Sequence, residues 1–458
     1  MVRGAIAALV AVALAAAPAS AEPAPAAPLR HAGRWLVDAQ GRVVTLRGFN
    51  VVDKLPPYAP AAMGFGAEDA RFLAAQGFDA MRVGVIPQAV EPRPGRFDDA
   101  YLARIARTVT ALRRAGLATV LDLHQDFFSE QTGGEGFPPW MVLATGPPGR
   151  ADIASWDALW DPATGLRDRV AALWRHVAVR LRDVPGIVAF DLLNEPFPGA
   201  AAPSCAQLAG CPAFDARLGA FYGAIVRAVR PVAGGRLLLV EPHVIFNGGA
   251  DTHLDRIGDG LSFHVYCHEI AGVQPCTSRE PRVFGDADRW SARTGGALLL
   301  TEFGATDDLA AIARTAALAD RHRLSWLEWA WWNRDPPGAR PAEGLVLDPR
   351  RPPRGTNVKA AKLAALARPY PRAVAGTPLR WGWDGSTFSA AWSTRPPRGA
   401  RLRKSATTEI VLPAIAFPRG EAITIAGGRL ARPDLPGVAR VAALPGARRV
   451  TVTARATP

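Results

Sequence analysis

The sequence predicts a (β/α)8 barrel followed by a small all-β sandwich, an α/β chain with an all-β tail. Three observations carry that reading. From residue 43, short β-branched or apolar runs alternate with longer helical patterns, eight times over. Polar and aromatic residues collect at the C-terminal ends of those runs, the end at which a barrel opens. After Pro369 the pattern changes to short alternating runs separated by Gly and Pro, as in a β-sandwich.

Taken in order, the chain opens with Arg3, an apolar run from Ala5 to Ala17, and Ala19-Ser20-Ala21 ahead of Glu22. A positive start, a short apolar stretch and a small-residue site describe a secretory signal peptide. Residues 1–21 are therefore expected to be cleaved after Ala21 and the mature chain secreted, with a retained anchoring helix as the alternative. Residues 22–30 read as an Ala/Pro-rich tether. The barrel is expected over residues 31–368. Its strand runs are 43–49, 80–85, 118–124, 187–193, 237–240, 261–266, 297–303 and 326–332. Helical patterns lie at 67–76, 99–115, 167–182, 214–229 and 308–322. A doubly wound sheet alternates similarly but normally opens with a glycine-rich phosphate loop, and none follows the first run. Residues 369–458 are the expected sandwich, with runs at 379–383, 387–392, 409–412, 422–425 and 449–454. Trp381, Trp383, Phe388 and Trp392 alternate onto one face and read as its core.

Composition narrows the classes. Of 458 residues, 49% are hydrophobic and 21% charged, which excludes a disordered chain. A net charge of +13 raises nucleic-acid binding. The arginines are scattered, however, lysine occurs only at Lys54, Lys359, Lys362 and Lys404, and no basic helix or zinc spacing accompanies them. No nucleic-acid partner is expected; an anionic lipid surface suits such charge better. Of the three ways to pair Cys205, Cys211, Cys267 and Cys276, the local one is expected, Cys205 with Cys211 and Cys267 with Cys276.

Two strand runs end in a carboxylate: Phe190-Asp191-Leu192-Leu193-Asn194-Glu195-Pro196 in the fourth and Leu299-Leu300-Thr301-Glu302-Phe303-Gly304 in the seventh. A carboxylate at the end of an apolar strand is costly unless it reaches water, a partner or a substrate. Strands four and seven face each other across an eight-fold mouth, so Glu195 and Glu302 are placed to flank one scissile bond. Retaining glycoside hydrolysis needs such a pair about 5–5.5 Å apart. Asn194 is placed to hold the sugar 2-hydroxyl, and Tyr266, beyond His264, to donate a hydrogen bond to Glu302. Glu241 and Glu328 are the rival carboxylates. Each lacks the Asn and Tyr context and reads as a supporting or core group.

Asn194-Glu195-Pro196 and Thr301-Glu302-Phe303-Gly304 resemble glycoside hydrolase family 5. The resemblance covers about residues 43–368. It implies a retaining mechanism on a (β/α)8 barrel, with Glu195 as acid/base and Glu302 as nucleophile. It also implies site roles for Arg82, His124, Asn194, His264, Tyr266 and an aromatic at strand eight. Trp331 and Trp332 compete for that last place; Trp332, directly before Asn333, is preferred. Neither a metal nor an organic cofactor is expected, since two carboxylates supply the chemistry.

Three further stretches, 48–54, His124-Gln125-Asp126 and 368–378, resemble the endoglycoceramidases and their relatives. That resemblance implies a glycolipid substrate, presented in membranes or micelles, whose sugar is read by Lys54 and Asp126. A loop salt bridge is the bland alternative for Lys54. Apolar residues at Phe127, Phe128, Phe137, Trp140, Met141 and Phe197 suit an amphiphile's tail, or else pack against their own barrel. Other β-glycosides (glucan, mannan, steryl glycoside) and a catalytically silent glycolipid-binding protein are the rival functions. No obligate protein partner is expected.

Overall fold

The computed structural model describes residues 28–142, 151–266, 275–335, 338–431 and 436–457. The expected signal peptide and most of the tether lie outside them, as does Cys267.

Eight parallel strands close into a barrel: β1 (Arg47–Val51), β2 (Ala80–Val85), β3 (Ala118–Leu123), β4 (Ile187–Asp191), β5 (Leu237–Val240), β6 (Gly260–Val265), β7 (Ala297–Phe303) and β8 (Ser325–Glu328). The interior is built in two storeys by the two-residue period of the strands. Ala80, Ala118, Val120, Ala189, Leu237, Leu239, Ala297 and Leu299 form an apolar floor at the strand starts. One step further along, the inward positions turn polar: Arg82, Asp122, Asp191, Ser262 and Thr301, all fully buried. The outward positions Met81, Val83 and Val85 join the larger core under the helices, among them Asp99–Arg114 and Leu166–Arg180. None of the helices among the described residues is long and apolar enough to cross a membrane.

The tail forms two sheets. A four-stranded sheet joins Thr377–Trp383, Thr387–Ser393, Arg449–Ala456 and Glu421–Ala426. The other sheet has seven strands and includes Tyr370–Val374, Thr408–Val411 and Val438–Ala443. Trp381, Phe388 and Trp392 are buried between the sheets, with Trp383 partly buried beside them.

The start of the chain departs from expectation. Residues 30–44 are not barrel: Arg30–Ala32, Trp35–Val37 and Val43–Val44 form three strands of the seven-stranded sheet, and Val43 pairs with Val374. The run expected as one strand over 43–49 is therefore split, its first half in the tail's sheet and its second in β1. An apolar run shows that a strand is buried but not which sheet buries it. Asp320 clamps the two parts together. It accepts from Arg47, from Arg368 at 3.1 Å and from Trp381 Nε1 at 2.9 Å.

Cys205 and Cys211 are bonded to each other. Cys276 is also disulfide-bonded, and its expected partner Cys267 lies outside the described residues.

Candidate active site

Glu195 and Glu302 meet at the mouth by local backbone devices. In β7 the pairing with β6 shifts register between Leu300 and Glu302. Such a shift re-aims a side chain, and here two successive residues reach the interior: Thr301 contacts Ser262 at 2.5 Å, and Glu302 contacts Arg82. Beyond β4, Glu195 adopts a left-handed backbone, φ 43°, a conformation of the kind that concentrates at functional sites. Its N–H is held by the Glu241 carboxylate at 2.9 Å. Gln125 ties the same turn to the loop after β3, donating to Asn194 O at 2.9 Å and accepting from Phe128 N at 2.9 Å.

Carboxylate oxygens of Glu195 and Glu302 and a ring nitrogen of His264 all lie within 4.8 Å of one another. Glu302 is buried, its side chain 5% exposed, against 21% for Glu195. Arg82 Nη1 donates to Glu302 Oε1 at 2.5 Å and Tyr266 Oη to Oε2 at 2.8 Å. Burial pushes the Glu302 carboxyl above its ordinary pKa, while His264 and Arg82 pull it down. Burial also holds the Tyr266 phenol far above its usual value, with Glu302 adding to the effect, so it remains a donor.

Arg82 organises the floor of the site. Its guanidinium reaches Asp191 at 3.0 Å, Asp122 at 2.9 Å, Glu241 at 2.8 Å, Asn194 Oδ1 at 2.9 Å and Asn50 Oδ1 at 3.2 Å. Burial opposes its charge, but the surrounding carboxylates outweigh that and hold it protonated. Asn194 spends one amide N–H on Gln125 O at 3.0 Å, which leaves the other for a ligand.

His264 Nδ1 lies 2.9 Å from Glu195 Oε1 and 3.5 Å from Glu302 Oε2, and its Nε2 lies 3.3 Å from Glu241. Burial works against its charge, yet Glu241 and Glu302 raise its pKa well above the ordinary value. His124 is arranged likewise: Nδ1 lies 2.7 Å from Asp122, and Asp122 and Asp126 overcome burial to raise its pKa to about 10.

On the other flank Lys54 pairs with Asp126 and lies 3.9 Å from Glu135. Burial disfavours the Asp126 charge, but Lys54 and His124 hold its carboxyl well below the usual range. Three clusters of carboxylate and imidazole groups have metal-ligand proximity. Each already contains or surrounds a side-chain cation: Lys54 beside His124, Asp126 and Glu135; His264 between Glu195 and Glu302; Arg82 among Asp122, Asp191 and Glu241.

The aromatic of strand eight is not the expected one. β8 ends at Glu328, and the next residue, Trp329, stacks on His124 at 5.3 Å and lies 4.6 Å beneath the Lys54 ammonium. Trp331 is buried against Phe49, Phe65 and Phe72. Trp332 is buried with Arg334 over its ring. Neither has a ring contact to the residues around Lys54. The expected strand ran too far, which shifted the end-of-strand position by three residues.

Sequence reasoning also missed Asn247, whose Nδ2 donates to Glu195 Oε1 at 2.7 Å, and Glu343, which accepts from Trp329 Nε1 at 2.9 Å. Both come from turns without a motif. Glu241 supports Arg82 and the Glu195 backbone, and Glu328 is buried against Lys362 at 2.8 Å. Of the apolar loop, Phe128, Phe137 and Met141 are buried against the protein itself, together with Trp156. Phe127, with φ 51°, is 67% exposed.

Comparison with known proteins agrees with this geometry. Residues 37–335 match Cellulase (glycosyl hydrolase family 5), and residues 368–452 match the glycoside hydrolase family 5 C-terminal domain. Endoglycoceramidase I of Rhodococcus hoagii is 30% identical over 94% of this chain and 86% of its own length. Endoglycoceramidase of Cyanea nozakii is 26% identical, over 77% of this chain and 78% of its own. Among solved structures, endo-glycoceramidase II from Rhodococcus sp. in complex with ganglioside GM3 aligns with a TM-score of 0.74 at 26% identity. That alignment covers 93% of this chain and 99% of the other. The barrel, the paired glutamates and these matches agree: the chain is a glycoside hydrolase and belongs to glycosyl hydrolase family 5.

Proposed function

We propose that this protein is a secreted, retaining β-glycosidase that cleaves the bond between sugar and lipid in glycosylceramide-type glycolipids. The observation that carries the mechanism is the close approach of Glu195 and Glu302 oxygens, within 4.8 Å, the short spacing of retaining rather than inverting pairs. Glu302, held by Arg82 and Tyr266, attacks the anomeric carbon. Glu195 protonates the departing oxygen of the aglycone, so the C–O bond breaks as the glycosyl–Glu302 ester forms. Glu195 then takes a proton from water, which attacks the same carbon and releases the sugar with its configuration retained. Arg82 and protonated His264 stabilise the carboxylates as charge moves between them.

The lipid aglycone is supported by the relatives, all three of which are endoglycoceramidases by name, one of them seen with a ganglioside. On this reading Lys54, Asp126 and Trp329 read the sugar, and Phe127 offers apolar surface at the rim. Secretion is supported by the N-terminal pattern of residues 1–21 and by the Cys205–Cys211 disulfide.

A second reading, a family 5 hydrolase of another β-glycoside, is favoured by the burial of Phe128, Phe137 and Met141, which removes much of the apolar surface that an acyl chain needs. A panel of glucosyl-, galactosyl- and lactosylceramide against cellulosic and mannan oligosaccharides and a steryl glucoside separates the two. Release of ceramide with no turnover of the oligosaccharides is the expected result. Preference for the oligosaccharides or the steryl glucoside would refute the lipid assignment.

A further inference from the structure

We propose that Asn247 is a positioning residue that, with His264, assigns the catalytic proton to one particular oxygen of Glu195. The inference rests on the acid/base reading of Glu195.

Asn247 stands on the turn Val244–Gly248, four residues beyond β5. The turn is anchored to the acid's own loop, since Val244 N–H donates to Pro196 O at 2.9 Å. Phe246 is fully buried edge-on against Phe263 at 6.1 Å, and Gly249 closes the turn with φ 103°. A side chain on such a mount has little freedom to wander.

Its amide nitrogen lies 2.7 Å from Glu195 Oε1, and His264 Nδ1 lies 2.9 Å from the same atom. Among the described residues none donates to Oε2. A carboxylate oxygen has two in-plane lone pairs, and on Oε1 both are taken by N–H donors. A proton on Glu195 therefore sits on Oε2, the oxygen left to face the bond to be broken. When it passes to the leaving oxygen, the new carboxylate charge is met at Oε1 by two donors already in place, with no reorganisation.

Asn247 thus matters only where the leaving group needs a proton. An alkoxide such as that of ceramide needs one; 2,4-dinitrophenolate does not. The test compares Asn247→Ala and Asn247→Leu (a similar shape with neither N–H nor charge) on the best glycosylceramide and on the 2,4-dinitrophenyl glycoside of the same sugar. The expected result is a fall of about tenfold or more in kcat/KM on the ceramide glycoside in both variants. KM on that substrate should be unchanged, and kcat/KM on the dinitrophenyl glycoside should stay within twofold. Equal losses on the two substrates, or none on the ceramide glycoside, would overturn the proposal. Glu195→Ala run alongside isolates the underlying reading. If Glu195 is the acid, that variant loses ceramide turnover but keeps kcat/KM on the dinitrophenyl glycoside. If it loses both equally, the acid assignment itself has failed.

Discussion

Arg82→Lys is the most informative single change, because it keeps the charge of the site floor and removes only its geometry. The guanidinium makes six polar contacts at 2.5–3.2 Å: Asp122, Asp191, Glu241, Glu302, Asn194 and Asn50. Five of these are hydrogen bonds and Asp122 is an ion pair; an ammonium has three donors at one point, so at least two partners lose their bond. Each lost bond to a buried charged group costs about 1.5–3 kcal/mol, and neighbouring losses do not simply add. A net destabilisation of about 3–5 kcal/mol follows, a sizeable part of the stability of a folded domain. Glu302 loses the donor at its Oε1 while Tyr266 remains at Oε2. The nucleophile is then free to turn away from the anomeric carbon, and about 3 kcal/mol at that step is a factor of about 100. Steady-state kinetics on the preferred glycoside, with thermal unfolding by circular dichroism alongside, measure both quantities. We expect kcat to fall about 100-fold or more, KM to change less than threefold, and the unfolding temperature to drop by several degrees. A variant that folds normally and turns over within threefold of the native enzyme would refute the claim that this network holds the nucleophile.

Other consequences are as concrete. Trp329→Ala should lower kcat/KM by about 100-fold, the equivalent of about 3 kcal/mol of transition-state binding, and Trp332→Ala by less than fivefold; the opposite ranking, read by the same kinetics, would return the sugar platform to Trp332. The His124 ring, raised to about pKa 10 by Asp122 and Asp126 against burial, should stay an imidazolium through neutral pH in 15N NMR. Because its folded pKa lies above the unfolded value of about 6.5, its contribution to stability is full below that pH and is lost as pH rises through about 10; a midpoint near 6.5 would contradict the Asp122 pairing. The Cys205–Cys211 bridge spans a sequence separation of 6, a short loop whose closure is worth about 2 kcal/mol. Cys205→Ser with Cys211→Ser should therefore lower stability by about that amount in a denaturant titration and leave kcat unchanged.

Much of the barrel is legible from the sequence because each strand is a short apolar run bounded by turn residues, and β2, β5 and β7 lie where those runs place them. Glu195 and Glu302 are legible for a related reason, since a carboxylate closing an apolar strand has no structural excuse. Trp329 was not. Residues 326–332 read Trp-Leu-Glu-Trp-Ala-Trp-Trp, with no Gly, Pro or Asn inside to mark where β8 stops, so the sequence points to Trp331 or Trp332 at its end rather than to Trp329. Asn247 and Glu343 were missed because a turn residue declares its partner only in three dimensions. The pairing of residues 43–44 with the tail is invisible for the same physical reason: the partners lie more than 300 residues apart, and alternation fixes a strand's faces but not its neighbour.

Covalent trapping identifies the nucleophile itself. A 2-deoxy-2-fluoro-β-glycoside with a dinitrophenyl leaving group forms the glycosyl-enzyme but hydrolyses it slowly, so intact mass and peptide mapping read the nucleophile. The expected product is one sugar per chain, attached through an ester to Glu302. An adduct on any other carboxylate, or no adduct from a substrate whose leaving group departs, would contradict it.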